Sequence, residues 1–191
     1  MDIRRRQARN VFLKNESYDR YCGHLKIIQD FHSHIHEGRG FAACLCTESL
    51  GVGESLWVVA LTGERPIHVN ERLITISEGA LRVVLHVDAV HASDPGDEEI
   101  ITHNLNHMSD KELGMNMLVA AIDPDVSGAT EFYPSHIRAA EGVGGRDIPR
   151  DSFRVFEWVL KPNTTYALQM ENVGLASIDS VDLDWLFYWL P

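Results

Sequence analysis

The sequence holds little cysteine, no long apolar run and a deficit of positive charge. The three cysteines among its 191 residues, Cys22, Cys44 and Cys46, cannot all pair internally, so disulfides are not what holds the chain together. Cys44 and Cys46 alternate inside an apolar run, where cysteine is expected to behave as a small buried hydrophobe. No stretch approaches the ~20 uncharged residues of a membrane-spanning helix. Four arginines within residues 1–10 have no secretion-type apolar segment behind them, so the mature chain is expected to begin at Met1. Internal repeats and low-complexity tracts are missing as well.

What is present is an ordinary globular balance, 45% apolar and 24% charged, with an uneven distribution of charge. Lys and Arg number 17 against 28 Asp and Glu, a net charge of −11. Residues 1–26 carry +4, which leaves −15 on the remainder. An acidic body repels phosphate, so general nucleic-acid binding is not expected. The division is a basic arm over residues 1–30 and a folded body over 31–191.

The body is patterned for short strands, because apolar runs rich in Val, Ile, Leu and aromatics recur between Gly, Pro, Asn and Asp clusters. The spacing predicts strands at 41–47, 55–62, 73–77, 81–90, 115–122, 153–160, 165–172 and 180–189. Alternation is cleanest for Leu81, Val83, Leu85, Val87 and Ala89, and for Val181, Leu183, Trp185, Phe187 and Trp189. Between Phe153 and Leu160 it slips, which predicts a bulge or two-sided burial. Eight antiparallel strands point to a sandwich. Residues 91–114 and 123–152 are polar or rich in Gly and Pro and read as long loops, the usual place for partner contacts.

Candidate chemistry is sparse. His32, His34 and His36 alternate, which on an extended segment puts three imidazoles on one face, as a metal site of cupin type would require. The glutamate and distant fourth ligand of such a site do not follow, so a hydrogen-bonded polar segment is the expectation, with no metal and no cofactor. No Gly-x-Ser-x-Gly elbow frames a nucleophile. The Gly142–Arg146 run lacks the Lys-Ser/Thr of a phosphate loop. Asp182 and Asp184 alternate as the solvated face of a strand does. The arm reads either as a disordered tail or as a segment that orders against a neighbouring subunit. The second reading is favoured, with Phe12, Tyr18 and Tyr21 as anchors and Arg4, Arg5, Arg6 and Arg9 facing carboxylates. Tyr188 and Trp189, at the end of an aromatic run, are further candidates for partner contact.

Two ends of the body carry a resemblance. His34-Ile35-His36-Glu37-Gly38 followed by Phe41, and Leu160-Lys161-Pro162-Asn163-Thr164-Thr165-Tyr166 leading to Asp184-Trp185, bracket residues 31–188. In these motifs the chain resembles the small β-sandwich decoration or cement proteins of tailed bacteriophage heads. The resemblance implies an antiparallel jelly roll, commonly trimeric, that clamps neighbouring major capsid subunits on the virion exterior without catalysis. The basic arm and the closing Phe187-Tyr188-Trp189-Leu190-Pro191 depart from that pattern. A carbohydrate- or receptor-binding sandwich of a phage fibre, and a cupin-like metalloprotein using the histidines, are the alternatives.

Overall fold

The computed structural model describes residues 30–47, 49–138 and 158–189. Within them the chain forms one short helix and eleven strands: α1 (Asp30–His36), β1 (Gly40–Thr47), β2 (Ser55–Thr62), β3 (Ile67–Ile76), β4 (Ala80–Val87), β5 (Glu98–Glu99), β6 (Thr102–Asn104), β7 (Met115–Val119), β8 (Thr130–Arg138), β9 (Trp158–Leu160), β10 (Thr165–Asn172) and β11 (Val181–Tyr188). All strand pairings are antiparallel. They build a five-stranded sheet in the order β6-β1-β11-β3-β9 and a six-stranded sheet in the order β5-β7-β2-β10-β4-β8. The expected all-β, two-sheet architecture is therefore present, with eleven strands where eight were read.

The sheets face each other across one core. Phe41, Ile67, Val181, Leu183 and Phe187 come from the five-stranded sheet, and Leu81, Val83 and Met170 from the six-stranded one. None of these is more than 4% exposed. Burial of this kind contributes roughly 1.5–3 kcal/mol per large apolar side chain. The outer face of the six-stranded sheet is also partly covered. Trp57, Val59, Ala89 and Ala167 form a second buried cluster packed against Leu118, Ala120, Val126 and Ala129, so part of the segment read as a free loop is instead a cover for β2 and β10. The bridge between Val90 and Asp125 pins that cover.

The two regions read as long loops hold strands. β5 and β6 lie in the first, at one edge of each sheet, and β8 lies in the second, at the far edge of the six-stranded sheet. Pro134 sits in β8 where two residues, Tyr133 and Pro134, oppose Val84. That edge bulge is where a strand tolerates proline, which has no N–H to donate. β3 holds a second irregularity. Leu186 pairs with Glu71 and Phe187 with Val69, leaving Asn70 as the extra residue. The insertion reverses parity, so Ile67 and Val69 point inward before it and Ile74 and Ile76 after it. Most of the segment expected to hold a bulge, 153–157, lies outside the described residues.

The histidine-rich segment is helical and not extended. Its end is a Schellman turn: the Arg39 N–H donates to the His34 carbonyl (2.7 Å), the Gly38 N–H to that of Ile35 (2.9 Å), and Gly38 takes a φ of 68°. A helix places residues four apart on one face, so His32 and His36 share a face while His34 points elsewhere.

Candidate interaction surface on the five-stranded sheet

In β11 the inward residues are Val181, Leu183, Trp185 and Phe187, which leaves Asp182, Asp184, Leu186 and Tyr188 on the outer face. Tyr188 is nevertheless only 8% exposed, because helix α1 lies over it. The His34 ring stacks on Tyr188 from α1 (centroids 4.2 Å apart, planes at 13°) and the His68 ring stacks on it from β3 (4.7 Å, 26°). Three flat rings on three elements thus fasten the helix to the sheet.

Trp189 completes the anchorage. The Arg39 guanidinium donates to its carbonyl (3.3 Å) and pairs with Glu37. Around the indole stand Arg65, 4.4 Å from the ring centroid, Lys111 at 5.5 Å and Arg39 at 6.0 Å. Lys111 also donates to the Glu37 carbonyl (2.7 Å), and Asn106 to that of His36 (3.0 Å). These bonds satisfy carbonyls at the helix end that have no partner within the helix. The indole face attracts cations, and its burial strengthens the effect.

Next to the anchorage the outer face is open. Cys44 and Cys46 are exposed, not buried as expected: the inward positions of β1 are Phe41 and Ala43, so parity turns both thiols outward. Cys44 stands opposite Asp184 and Cys46 opposite Asp182. Because Ala42 and Cys44 are small, a shallow depression of ≈ 350 Å³ forms between His103 on one side and Leu73 and Leu186 on the other, floored by Ala43 and Trp185.

A second recess of ≈ 400 Å³ lies where the edge strands β8 and β9 face each other. Phe132 meets Trp158 edge to face (5.7 Å), and Asp88, Thr130, Lys161 and Tyr166 contribute polar groups to the walls. Burial pushes the Tyr166 hydroxyl above its ordinary range, although it accepts a hydrogen bond from the Lys161 N–H (2.7 Å). Behind the recess, and sharing Leu85, Trp158, Leu160 and Tyr166 with it, an apolar void of ≈ 50 Å³ reaches between the sheets.

A contact that the sequence reading missed, between His91 and Asp97 (2.8 Å), holds a loop. The Asp94 and Ala121 N–H groups also donate to Asp97, and with the imidazole they hold its carboxyl down at about 2. Asp125 is held below the ordinary carboxylate range by the Ser127 N–H and hydroxyl.

Of the sequence candidates, Arg4, Arg5, Arg6, Arg9, Phe12, Tyr18 and Tyr21 lie outside the described residues. Tyr188 and Trp189 are brought together at the α1 anchorage, where both are buried against their own chain and turn little surface outward. His68, Arg39, Arg65 and Lys111 join them there without any sequence signal, since they come from separated elements. Among the described residues no group of three or more His, Cys, Asp or Glu side chains is placed to hold a metal ion, and no helix is long and apolar enough to cross a membrane. No protein-family model, curated protein or solved structure matches the chain.

Proposed function

We propose that this protein is a non-enzymatic virion structural protein, a jelly-roll decoration or cement protein that binds and clamps neighbouring major capsid subunits on the outside of a bacteriophage head, as a homotrimer. The observation that carries the reading is the anchorage of α1. The residue that ends the basic arm begins a helix stapled to the outer face of the sheet by His34, Tyr188, His68 and the Trp189 cluster, so an arm pulling on a neighbour transmits load to the sandwich. Strand order supports the jelly roll. With β5 to β7 set aside as an insertion, the two sheets read 1-11-3-9 and 2-10-4-8, the paired four-stranded pattern of that fold. The exposed outer face beside the anchorage offers a surface for a flat partner. A cement that binds only assembled shell stabilises it by mass action.

The test is deletion of residues 1–20 followed by co-sedimentation with empty shells. The deleted protein is expected to fold as a sandwich and to leave the shells bare, and unchanged shell occupancy overturns the proposal. Replacement of Arg4, Arg5, Arg6 and Arg9 by alanine is expected to weaken occupancy in the same direction. A second reading rests on the recess between β8 and β9, where 47%-exposed Phe132 stands beside Asp88, Thr130 and Lys161 in the aromatic-plus-polar arrangement that suits a sugar ring. Saccharide binding by the isolated protein that is lost in Phe132→Ala favours it over the first.

A further inference from the structure

We propose that His32 and His36 form a two-imidazole chelate for a divalent transition-metal ion of tetragonal preference, Cu²⁺ or Ni²⁺. The two residues are one helical turn apart on α1, both are solvent-exposed, and their rings are stacked with centroids 4.6 Å apart and planes at 22°. Their Nε2 atoms lie 2.9 Å from each other. With metal–nitrogen bonds of ~2.0–2.1 Å, two imidazoles one helical turn apart reach a common ion once their rings turn from the mutual hydrogen bond to face it. Imidazole nitrogens with the other positions left to water suit Cu²⁺ and Ni²⁺, which stand high in the first-row order of affinity and take tetragonal geometry.

Without metal, the contact is a hydrogen bond in which one Nε2–H donates to the other ring's Nε2. On binding, the donor ring carries its proton on Nδ1 instead, so both Nε2 lone pairs face the ion and no proton is lost from the pair. Among the described residues the chelate has two protein ligands: His34 is turned away onto Tyr188, and Glu37 is paired with Arg39. Closing one turn of a seven-residue helix by a metal also stabilises a segment too short to hold its shape alone.

The experiment is titration of the full chain with CuCl₂ and NiCl₂ by calorimetry, with electron paramagnetic resonance of the copper form. The expected result is one ion per chain at this site, in a tetragonal spectrum with two imidazole nitrogens. Binding should weaken by about tenfold or more in His32→Ala, His36→Ala and His36→Gln, and be retained in His107→Ala, a histidine of the loop bonded to the helix end. Nickel should broaden the ring protons of His32 and His36 selectively in the NMR spectrum. Equal binding by wild type and the His32→Ala/His36→Ala double variant overturns the assignment. So does a preference for Zn²⁺ over both Cu²⁺ and Ni²⁺ that disappears with the same variants, because it runs against the affinity order on which the choice of metal rests.

Discussion

Gly38 shows how much one residue carries. Its φ of 68° closes α1, and an added Cβ would stand 2.2 Å from the Ser109 hydroxyl oxygen. Gly38→Ala is expected to cost at least about 1–2 kcal/mol from the left-handed backbone alone. The clash adds to that, so combining it with Ser109→Gly should recover only the clash, as measured by urea unfolding. Asp97 makes a prediction about pH. Its carboxyl sits at about 2, below the range it has in the unfolded chain, so it stabilises the fold above that range and the contribution is lost as pH falls from about 4 towards 2. In Asp97→Asn the protection of the Ala121 amide against hydrogen exchange should be lower at neutral pH and should lack the wild-type loss across that acid window. At this scale the sequence was partly silent. Tyr188 and Trp189 announced themselves as aromatics at a chain end, but their cover comes from His34, Arg39, Arg65 and His68, whose convergence depends on tertiary packing.

Elements were legible where a strand keeps its parity and hidden where it does not. β2 and β10 occupy the spans that their apolar runs predicted, Ser55–Thr62 and Thr165–Asn172, because neither contains a bulge. The first half of β3 was unreadable for the opposite reason: Asn70 shifts the inward set from odd to even numbers, and the polar Asn-Glu-Arg stretch masks what remains. β8 was hidden by Pro134 and by an edge position that leaves much of it exposed. In α1 the alternating histidines mimicked a strand, and the glycine two residues beyond His36 was the signal for a helix end. The helix depends on its ring stack. Tyr188→Ala removes the middle ring and should cost about 3 kcal/mol or more. The loss should be local first, seen as faster hydrogen exchange at Glu37 and Arg39, whose N–H groups bond back into α1, while β2 and β10 stay protected.

For the molecule as a whole, the governing contrast is a +4 segment at residues 1–26 against a body of −15. If the arm works by charge against an acidic neighbour, added salt must weaken the attachment, because screening shortens the reach of exposed charges to ~8 Å at physiological ionic strength and ~3 Å at 1 M. Shell occupancy is expected to fall steadily as NaCl rises from about 0.05 to 0.5 M.

The place of β11 has its own consequence. Val181–Tyr188 is threaded between β1 and β3, so the middle of one sheet is supplied from the far end of the sequence, nearly 150 positions from its neighbour Gly40. While the polypeptide is being synthesised, β1 and β3 wait with bare edges until that last strand leaves the ribosome, a slow closure of high contact order. A message cut short before codon 181 would yield a product in which β1 and β3 each keep one bare edge beside an exposed apolar interior, which is the template on which chains adhere to one another.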